Sequence, residues 1–269
     1  MLLRASALFF TLLCIDAFRQ GNLIPFLQST FTLKNIGMFL VFNQGMPRTH
    51  LWYLRAILYV LIVIYYVDKY NKKELLYKLI PILLCGNLIL GKYSLLLFGV
   101  EFEAPIARNW LFTGLPFYAI GMWVRENMET IRSRLQNKGK AKLLSLIAVF
   151  SLTSIIERII LKLIGLNTEI DYTLSTAFLA IVVFLYFLFY VDQKDNVFSY
   201  IGRVDSTGIY ILHPIFVTII PILIRNETFL KYYTFCKAII IFVITLATVE
   251  LFNRLKRKFN RLKQKLFHA

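Results

Sequence analysis

Residues 172–191 read YTLSTAFLAIVVFLYFLFYV, twenty consecutive residues without a charged side chain. An α-helix of about 20 apolar residues is long enough to cross the roughly 30 Å hydrocarbon core of a bilayer. The stretch lacks the strict alternation of apolar and polar residues that is typical of a membrane β-strand. It therefore predicts a transmembrane helix.

Seven further stretches have the same character. They are residues 3–18, 51–67, 75–91, 109–124, 143–163, 207–224 and 234–249; the first also resembles a signal peptide. Of the 269 residues, 58% are hydrophobic and 16% aromatic, more than the surface of a water-soluble protein tolerates. The sequence therefore predicts an all-α fold, a polytopic membrane helix bundle of about eight transmembrane helices.

The formal net charge of +16 is distributed along the chain in a way that indicates membrane topology rather than nucleic-acid binding. The connections and the C-terminal tail on one side of the predicted bundle hold 18 Lys and Arg residues, and the opposite connections hold seven. Cytoplasmic loops carry the excess of Lys and Arg. We therefore expect a multi-pass protein of the cell (cytoplasmic) membrane with both termini in the cytoplasm.

The C-terminal segment repeats apolar residues at steps of three and four: Phe252, Leu255, Phe259, Leu262 and Leu266. Lys and Arg fill most of the positions between them, as in helices that lie at a membrane surface. We divide the chain into a helix bundle, residues 1–251, and a basic amphipathic cytoplasmic tail, residues 252–269. The expected partners are the bilayer and its anionic lipids, with no nucleic acid.

Among the ionisable residues of the predicted spans, six indicate candidate functional or pairing positions: Arg55, Glu157, Arg158, Lys162, His213 and Lys237. Such groups are costly in lipid unless they face a partner or a polar cavity. For the cluster at 157–162, structural pairing or snorkelling to the interface competes with lining a polar tunnel. Arg55 is either a snorkelling residue in an aromatic belt or a ligand for a phosphate or carboxylate. His213 is either a structural, hydrogen-bonded residue or one that binds substrate or transfers a proton.

Three segments carry a resemblance to a known family. Residues 206–214, STGIYILHP, resemble the SxGIYLxHP signature near the end of membrane-bound acyltransferase family 3 proteins, which are O-acetyltransferase-like. Residues 50–56, HLWYLRA, resemble that family's HLWFLRAL-type span start. Residues 108–117, RNWLFTGLPF, resemble its RNFLFxGLPFF segment. The three occur in the family's order and spacing, so the resemblance covers most of the chain.

The resemblance implies an enzyme, an O-acyltransferase. Such an enzyme moves an acetyl or other acyl group from an acyl-coenzyme A donor to a hydroxyl of an envelope polysaccharide or a lipid-linked sugar, without a metal. The expected substrate-binding residues are Trp52, Arg55, Arg108, Asn109, Ser206 and Tyr210. Acyl transfer to a hydroxyl needs a base, and the catalytic residue is unassigned with His213 as the candidate.

The sequence departs from the family pattern at its start. The family carries an Arg followed by a catalytic His in the first of ten helices, whereas the histidines here are His50, His213 and His268. The chain is therefore expected to lack the N-terminal helices and to begin near the family's third helix. Four explanations fit this departure: the chain is a fragment, its start is mis-assigned, it is an inactive truncated paralogue, or it is a variant that uses another residue.

Two other function classes fit the composition. One is a transporter or flippase for a lipid-linked or anionic solute, with a path lined by Glu157, Arg158, His213 and Lys237. The other is a non-catalytic membrane scaffold for a glycan-assembly complex. Transport without a covalent product would indicate the first, and a phenotype that survives alanine at Arg55 and His213 would indicate the second.

Overall fold

The structure, a computed structural model, describes residues 2–43, 51–136, 138–166, 172–191, 196–223 and 227–267. Every regular element within these ranges is a helix. The elements are α1 (Leu2–Arg19), α2 (Leu23–Thr30), α3 (Leu33–Phe42), α4 (Trp52–Lys69), α5 (Lys73–Leu90), α6 (Ser94–Phe98), α7 (Ala104–Ala107), a π-helical turn π1 (Trp110–Gly114), α8 (Leu115–Glu126), α9 (Met128–Leu135), α10 (Gly139–Leu163), α11 (Leu174–Tyr190), α12 (Val197–Tyr200), a second π-helical turn π2 (Ile201–Asp205), α13 (Ser206–Leu223) and α14 (Glu227–Phe267). They form two compact units, Met1–Val191 and Asp192–Ala269.

The predicted all-α membrane fold is confirmed, because each of the eight predicted spans falls on a helix. Within the described ranges, three helical segments are long and apolar enough to cross a membrane: Gly139–Leu163, Val197–Pro221 and Tyr232–Arg261. Two shorter apolar helices are Leu33–Phe42 and Leu174–Tyr190. The number of eight spans stays a prediction. The helices α2 and α3 lie in a stretch for which the sequence predicted only a connection.

The core of the first unit lies between α4, α5 and α8. Apolar residues recur every four positions on α4, at Ala56, Val60 and Ile64, and all three are buried. This stripe packs against Leu76 and Leu83 of α5 and against the start of α8, while π1 covers one side of the cluster. Periodic apolar residues of this kind place one face of each helix in the core.

One end of this three-helix core is closed by a polar cluster. The Lys73 ammonium at the start of α5 donates to Glu126 Oε1 at 2.9 Å and lies 3.3 Å from Asp68 Oδ1, and the Tyr77 hydroxyl donates to Glu126 Oε2 at 2.6 Å. The Tyr77 hydroxyl, and then the Lys73 ammonium, hold the pKa of Glu126 below its ordinary value. The hydrogen bond to Glu126 raises the pKa of Lys73. The α4–α5 and α8–α9 connections therefore meet at one end, as the predicted topology requires.

The opposite end of the first unit is held by Glu157, near the end of α10. Its carboxylate accepts hydrogen bonds from the Tyr93 hydroxyl and, at 3.0 Å, from the backbone N–H of Ser175 in the first turn of α11. Neighbouring Arg158 is exposed. Glu157 therefore pairs with facing elements, which is the structural alternative that the sequence left open.

The second unit consists of the continuous run α12–π2–α13 and the long helix α14. At 1.5 Å per residue the 41 residues of α14 span about 60 Å, roughly twice the hydrocarbon thickness. The predicted tail is therefore helical but continues the preceding span without a break. The division at residue 251 lies inside this helix, and the placement of the tail on the inner leaflet stays a prediction.

Candidate functional site

Two of the three motif segments meet in the first unit, at the start of α4 and at π1. Asn43 joins them, because its Nδ2 donates to the carbonyl of Trp52 at 3.0 Å and its Oδ1 accepts from the backbone N–H of Trp110 at 2.7 Å. Asn43 is fully buried and has a left-handed backbone with φ 50°. Asn tolerates this conformation better than most residues. No sequence pattern indicated this residue.

Arg55 lies one turn inside α4 and is 3% exposed. Its guanidinium carbon lies 5.7 Å from the ring centroid of Phe39 on α3. One turn further along α4, the Tyr59 hydroxyl donates to the Phe39 carbonyl at 3.1 Å, and its ring stacks on Trp110 at 6.0 Å. Arg55 is thus held inside protein and does not snorkel in an exposed aromatic belt. A buried guanidinium keeps its charge and offers a planar fork of donors to an anion.

Asn109 is also buried, and both ends of its amide bind backbone groups. Its Oδ1 accepts from Leu111 N–H at 2.9 Å and from Phe112 N–H at 3.0 Å, while its Nδ2 donates to the Ile106 carbonyl at 2.7 Å. These contacts cap π1 in the way that an N-cap residue satisfies the first amides of a helix. The role that geometry gives Asn109 is therefore structural, and substrate binding by this residue stays a prediction.

Trp52 and Arg108 are half-buried and belong to the same unit. Trp52 begins α4, and its ring packs edge-on against Tyr53 with centroids 6.1 Å apart. Arg108 lies between α7 and π1, next to Asn109. The unit therefore contains Trp52, Arg55, Arg108 and Asn109 within or beside the contact between α4 and π1. Their binding of substrate stays a prediction.

Asn87 on α5 is a buried polar residue that the sequence analysis missed. Its Nδ2 donates to the Ala107 carbonyl at 2.8 Å and to Thr113 Oγ1 at 2.9 Å. Among the described atoms its Oδ1 has no hydrogen-bond partner. A signal was present in the sequence, because an Asn next to Gly86 inside an apolar span marks a close helix contact. A Cβ at Gly86 would lie 2.7 Å from the Phe112 ring.

The third motif segment lies in the second unit and forms the first half of α13. Ser206 is exposed, whereas Tyr210 and His213 are half-buried and follow it on one face. The rings of Tyr210 and His213 are 6.0 Å apart. His213 Nδ1 lies 3.1 Å from the Ile209 carbonyl. A carbonyl only accepts, so Nδ1 carries a proton, and Nε2 is the basic nitrogen of the neutral ring.

His213 lines a groove of about 500 Å³ between α13 and α14. Lys237 and Thr234 of α14 line the same groove, and its other described walls are apolar. Two of the four residues assigned to a transport path, His213 and Lys237, therefore face one groove in this unit. The other two, Glu157 and Arg158, belong to the first unit, where Glu157 is engaged by Tyr93 and Ser175.

Close packing explains the glycine of the third motif. A Cβ at Gly208 would lie 2.9 Å and 3.0 Å from the two methyl groups of Val249 on α14. One turn before it, the buried carboxylate of Asp205 accepts a hydrogen bond from Asn253 Nδ2 at 2.8 Å. The segment around residues 205–208 therefore fixes α13 against α14, which positions the His213 groove.

Comparison with known proteins agrees with this arrangement of motifs. The model of acyltransferase family 3, described as an acyltransferase domain, matches residues 5–253, a range that contains all three motif segments. No curated protein and no solved structure matches the chain. Because the matched range covers most of the sequence, the chain belongs to acyltransferase family 3, a family of membrane acyltransferases.

Proposed function

We propose that the chain is an O-acyltransferase that moves an acetyl or other acyl group from acyl-coenzyme A to a hydroxyl of an envelope polysaccharide or a lipid-linked sugar. The enzyme resides in the cytoplasmic membrane with both termini in the cytoplasm, where the acyl donor is available. The observation that carries the proposal is the burial of Arg55 at the contact between the first two motif segments of an acyltransferase family member.

The chemistry explains why a buried guanidinium matters. The acceptor hydroxyl oxygen attacks the thioester carbonyl carbon, the carbon–sulfur bond breaks, and the hydroxyl proton ends on the sulfur of the released thiol. Negative charge develops on the carbonyl oxygen, and donors that are already oriented in a water-poor site stabilise it most. Arg55 supplies such donors at a fixed place, since Phe39 and the Tyr59–Trp110 pair surround α4 there.

Donor binding gives Arg55 a second possible use within the same reaction. Coenzyme A carries phosphates, and arginine binds phosphate through two parallel hydrogen bonds. Arg108, half-buried next to the capped π1 turn, is the second arginine of this unit proposed to bind donor or acceptor anions. In both uses the guanidinium shape is required, and a lysine ammonium is a poor replacement.

The proton must leave the acceptor hydroxyl, and His213 is the proposed base. Its Nδ1–H contact with the Ile209 carbonyl orients the ring and leaves Nε2 as the nitrogen that accepts a proton. We do not assign the base to any other residue.

The test is transfer of radiolabelled acetyl groups from acetyl-coenzyme A to envelope glycans in membranes that contain the chain. R55K should reduce labelling by about 100-fold to 1,000-fold, the range for losing a positioned donor at a developing oxyanion. The matched control is R158K, because Arg158 is exposed within a span. It should retain full labelling.

A second variant, H213Q, tests the base separately. Its labelling should fall at neutral pH while the elution profile of the purified protein stays that of the wild type. Equal labelling by R55K, H213Q and wild type would refute the proposed roles. Uptake of an anionic solute into vesicles without any covalent product would replace the proposal with the transporter alternative.

A further inference from the structure

Lys237 occupies an unusual position for a cation. It lies on α14 five residues inside the membrane-spanning segment Tyr232–Arg261, about 8 Å along the helix axis. Its side chain is half-buried and lines the groove between α13 and α14. An ammonium group at such a depth is costly unless an anion or a polar cavity compensates it.

The protein itself supplies no such anion within the described residues. Among the side chains that the structure describes, no carboxylate lies within ion-pair distance of the Lys237 ammonium, and none of the described groove-lining residues is acidic. The remaining polar groups of the groove are the imidazole of His213 and the hydroxyl of Thr234. The His213 ring directs its Nδ1–H at the Ile209 carbonyl, so Lys237 carries the formal charge among these groups. The polar part of the groove therefore suits an anion.

His213 and Lys237 lie at the same level in the groove. His213 is ten residues before Leu223, the end of α13, and Lys237 is ten residues after Glu227, the start of α14. Gly208 packs against Val249 and Asp205 binds Asn253, so the two helices are antiparallel and equal distances from their facing ends correspond to equal depth. The His213 imidazole and the Lys237 ammonium therefore lie at about the same depth along α13 and α14.

The rest of the groove is apolar, and it includes exposed side chains. Val217, Ile241 and Phe242 line it, and Phe235 at its rim is 92% exposed. Phe242 is 46% exposed. On membrane-spanning helices such exposed apolar side chains face lipid. A ligand that enters from the bilayer with one anionic group and one hydrocarbon chain matches both parts of this groove, whose volume of about 500 Å³ is that of a small-molecule site.

We propose that the α13–α14 groove binds one anionic phospholipid of the bilayer. Its phosphate pairs with the Lys237 ammonium, and one acyl chain lies along Val217, Ile241 and Phe242. The proposal concerns a lipid held by the second unit and does not depend on the proposed acyl transfer, because it needs neither a donor nor an acceptor substrate.

The experiment uses the full chain in phosphatidylcholine nanodiscs that contain a trace of phosphatidylglycerol with a photoactivatable diazirine in its acyl chain. After irradiation, labelled peptides are mapped by mass spectrometry. We expect label in peptides that contain residues 209–217 and 234–242, about tenfold above that from a matched phosphatidylcholine probe. Both lipids carry a phosphate, but the choline cation offsets its charge and is repelled by the Lys237 ammonium.

Three substitutions locate the interaction. K237Q should abolish the preference for phosphatidylglycerol, whereas K256Q should preserve it, because Lys256 is an exposed lysine of the same helix outside the groove. V217F keeps the charge but fills the apolar part, and it should reduce labelling even if K237Q fails to fold. Each variant is compared by its elution profile from size exclusion.

The contrary outcomes are distinct. Equal labelling by the two lipids, or a preference that survives in folded K237Q, would overturn the proposal in favour of a snorkelling lysine. Suppression of the label by millimolar inorganic phosphate would show a site for a free ion, which also overturns binding of a lipid. His213, the proposed base, lines the same groove, but acyl transfer is measured separately by the labelling of glycans, so the failures of the two proposals are distinguishable.

Discussion

Replacement of Asn109 by alanine should destabilise the first unit far more than its position in a connection suggests. In the native structure its Oδ1 accepts from two backbone amides, those of Leu111 and Phe112, and its Nδ2 binds the Ile106 carbonyl. Asn109 is 1% exposed, so water does not readily replace these contacts. The N109A variant therefore leaves two amide donors without their acceptor.

The magnitude follows from the cost of unsatisfied buried donors. Each costs about 1–3 kcal/mol, and loss of an N-cap alone costs about 0.5–2 kcal/mol. Because one of the two amides can form a longer bond within the turn, we expect a decrease in unfolding free energy of about 2–4 kcal/mol. The effect should appear as a lower SDS midpoint when unfolding is followed by fluorescence of Trp110 and Trp123.

The matched control is N127A at the other end of α8. Asn127 donates one hydrogen bond, from Nδ2 to the Trp123 carbonyl at 2.9 Å, and caps no amide. We expect a change below about 0.5 kcal/mol, as for most surface substitutions. An N109A protein as stable as N127A would refute the capping role.

Two further predictions concern the polar cluster and the α13–α14 contact. The pKa of Glu126 is lowered by the Tyr77 hydroxyl and then by Lys73, so its stabilising contribution is complete above the ordinary carboxyl pKa and disappears as the pH falls through the lowered value. The stability difference between wild type and E126Q should therefore be constant from about pH 6 to 9 and shrink in acid, and urea titrations that show it growing in acid would contradict this. G208A should cost about 1–3 kcal/mol by overpacking against Val249, and V249A should recover most of that loss in a thermal-unfolding double-mutant cycle; simple additivity would exclude the contact.

The sequence predicted the helices well because backbone amides within lipid must form their hydrogen bonds inside the protein. Long apolar runs such as residues 143–163 and 172–191 must form helices to satisfy their own amides, and both do. Hydrophobicity does not show which helices contact one another, since lipid and neighbouring helices are equally apolar. The core at Val60, Leu83 and Ala119 could therefore be identified only from the structure.

The candidate site was predicted only in part. The motif segments indicated Arg55 and Asn109, but periodicity alone does not tell whether Arg55 faces lipid or protein. Asn43 could not be found, because its role depends on Trp110, 67 residues away in the sequence. An uncharged polar residue such as Asn87 costs less free energy within a span than a charged residue, so a search for ionisable residues does not find it. Asn87 nevertheless binds two groups beyond its own helix.

The continuous α14 also changes the interpretation of the basic tail. The sequence pattern from Phe252 to Leu266 predicts a helix, and the structure has one, but it begins at Glu227. No Gly or Pro interrupts residues 227–267, so nothing in the local chemistry ends the helix at the membrane. A tail that lies flat on the inner leaflet, as predicted, requires a bend in this helix at the membrane surface.

The π-helical turn Ile201–Asp205 has a consequence for aligning this chain with relatives. Such a turn accommodates one extra residue within an otherwise α-helical path, here between α12 and α13. Relatives without the extra residue will need a single-position gap there. An alignment that forbids the gap rotates the residues on one side by about 100° and assigns the wrong face of α13 to the motif residues.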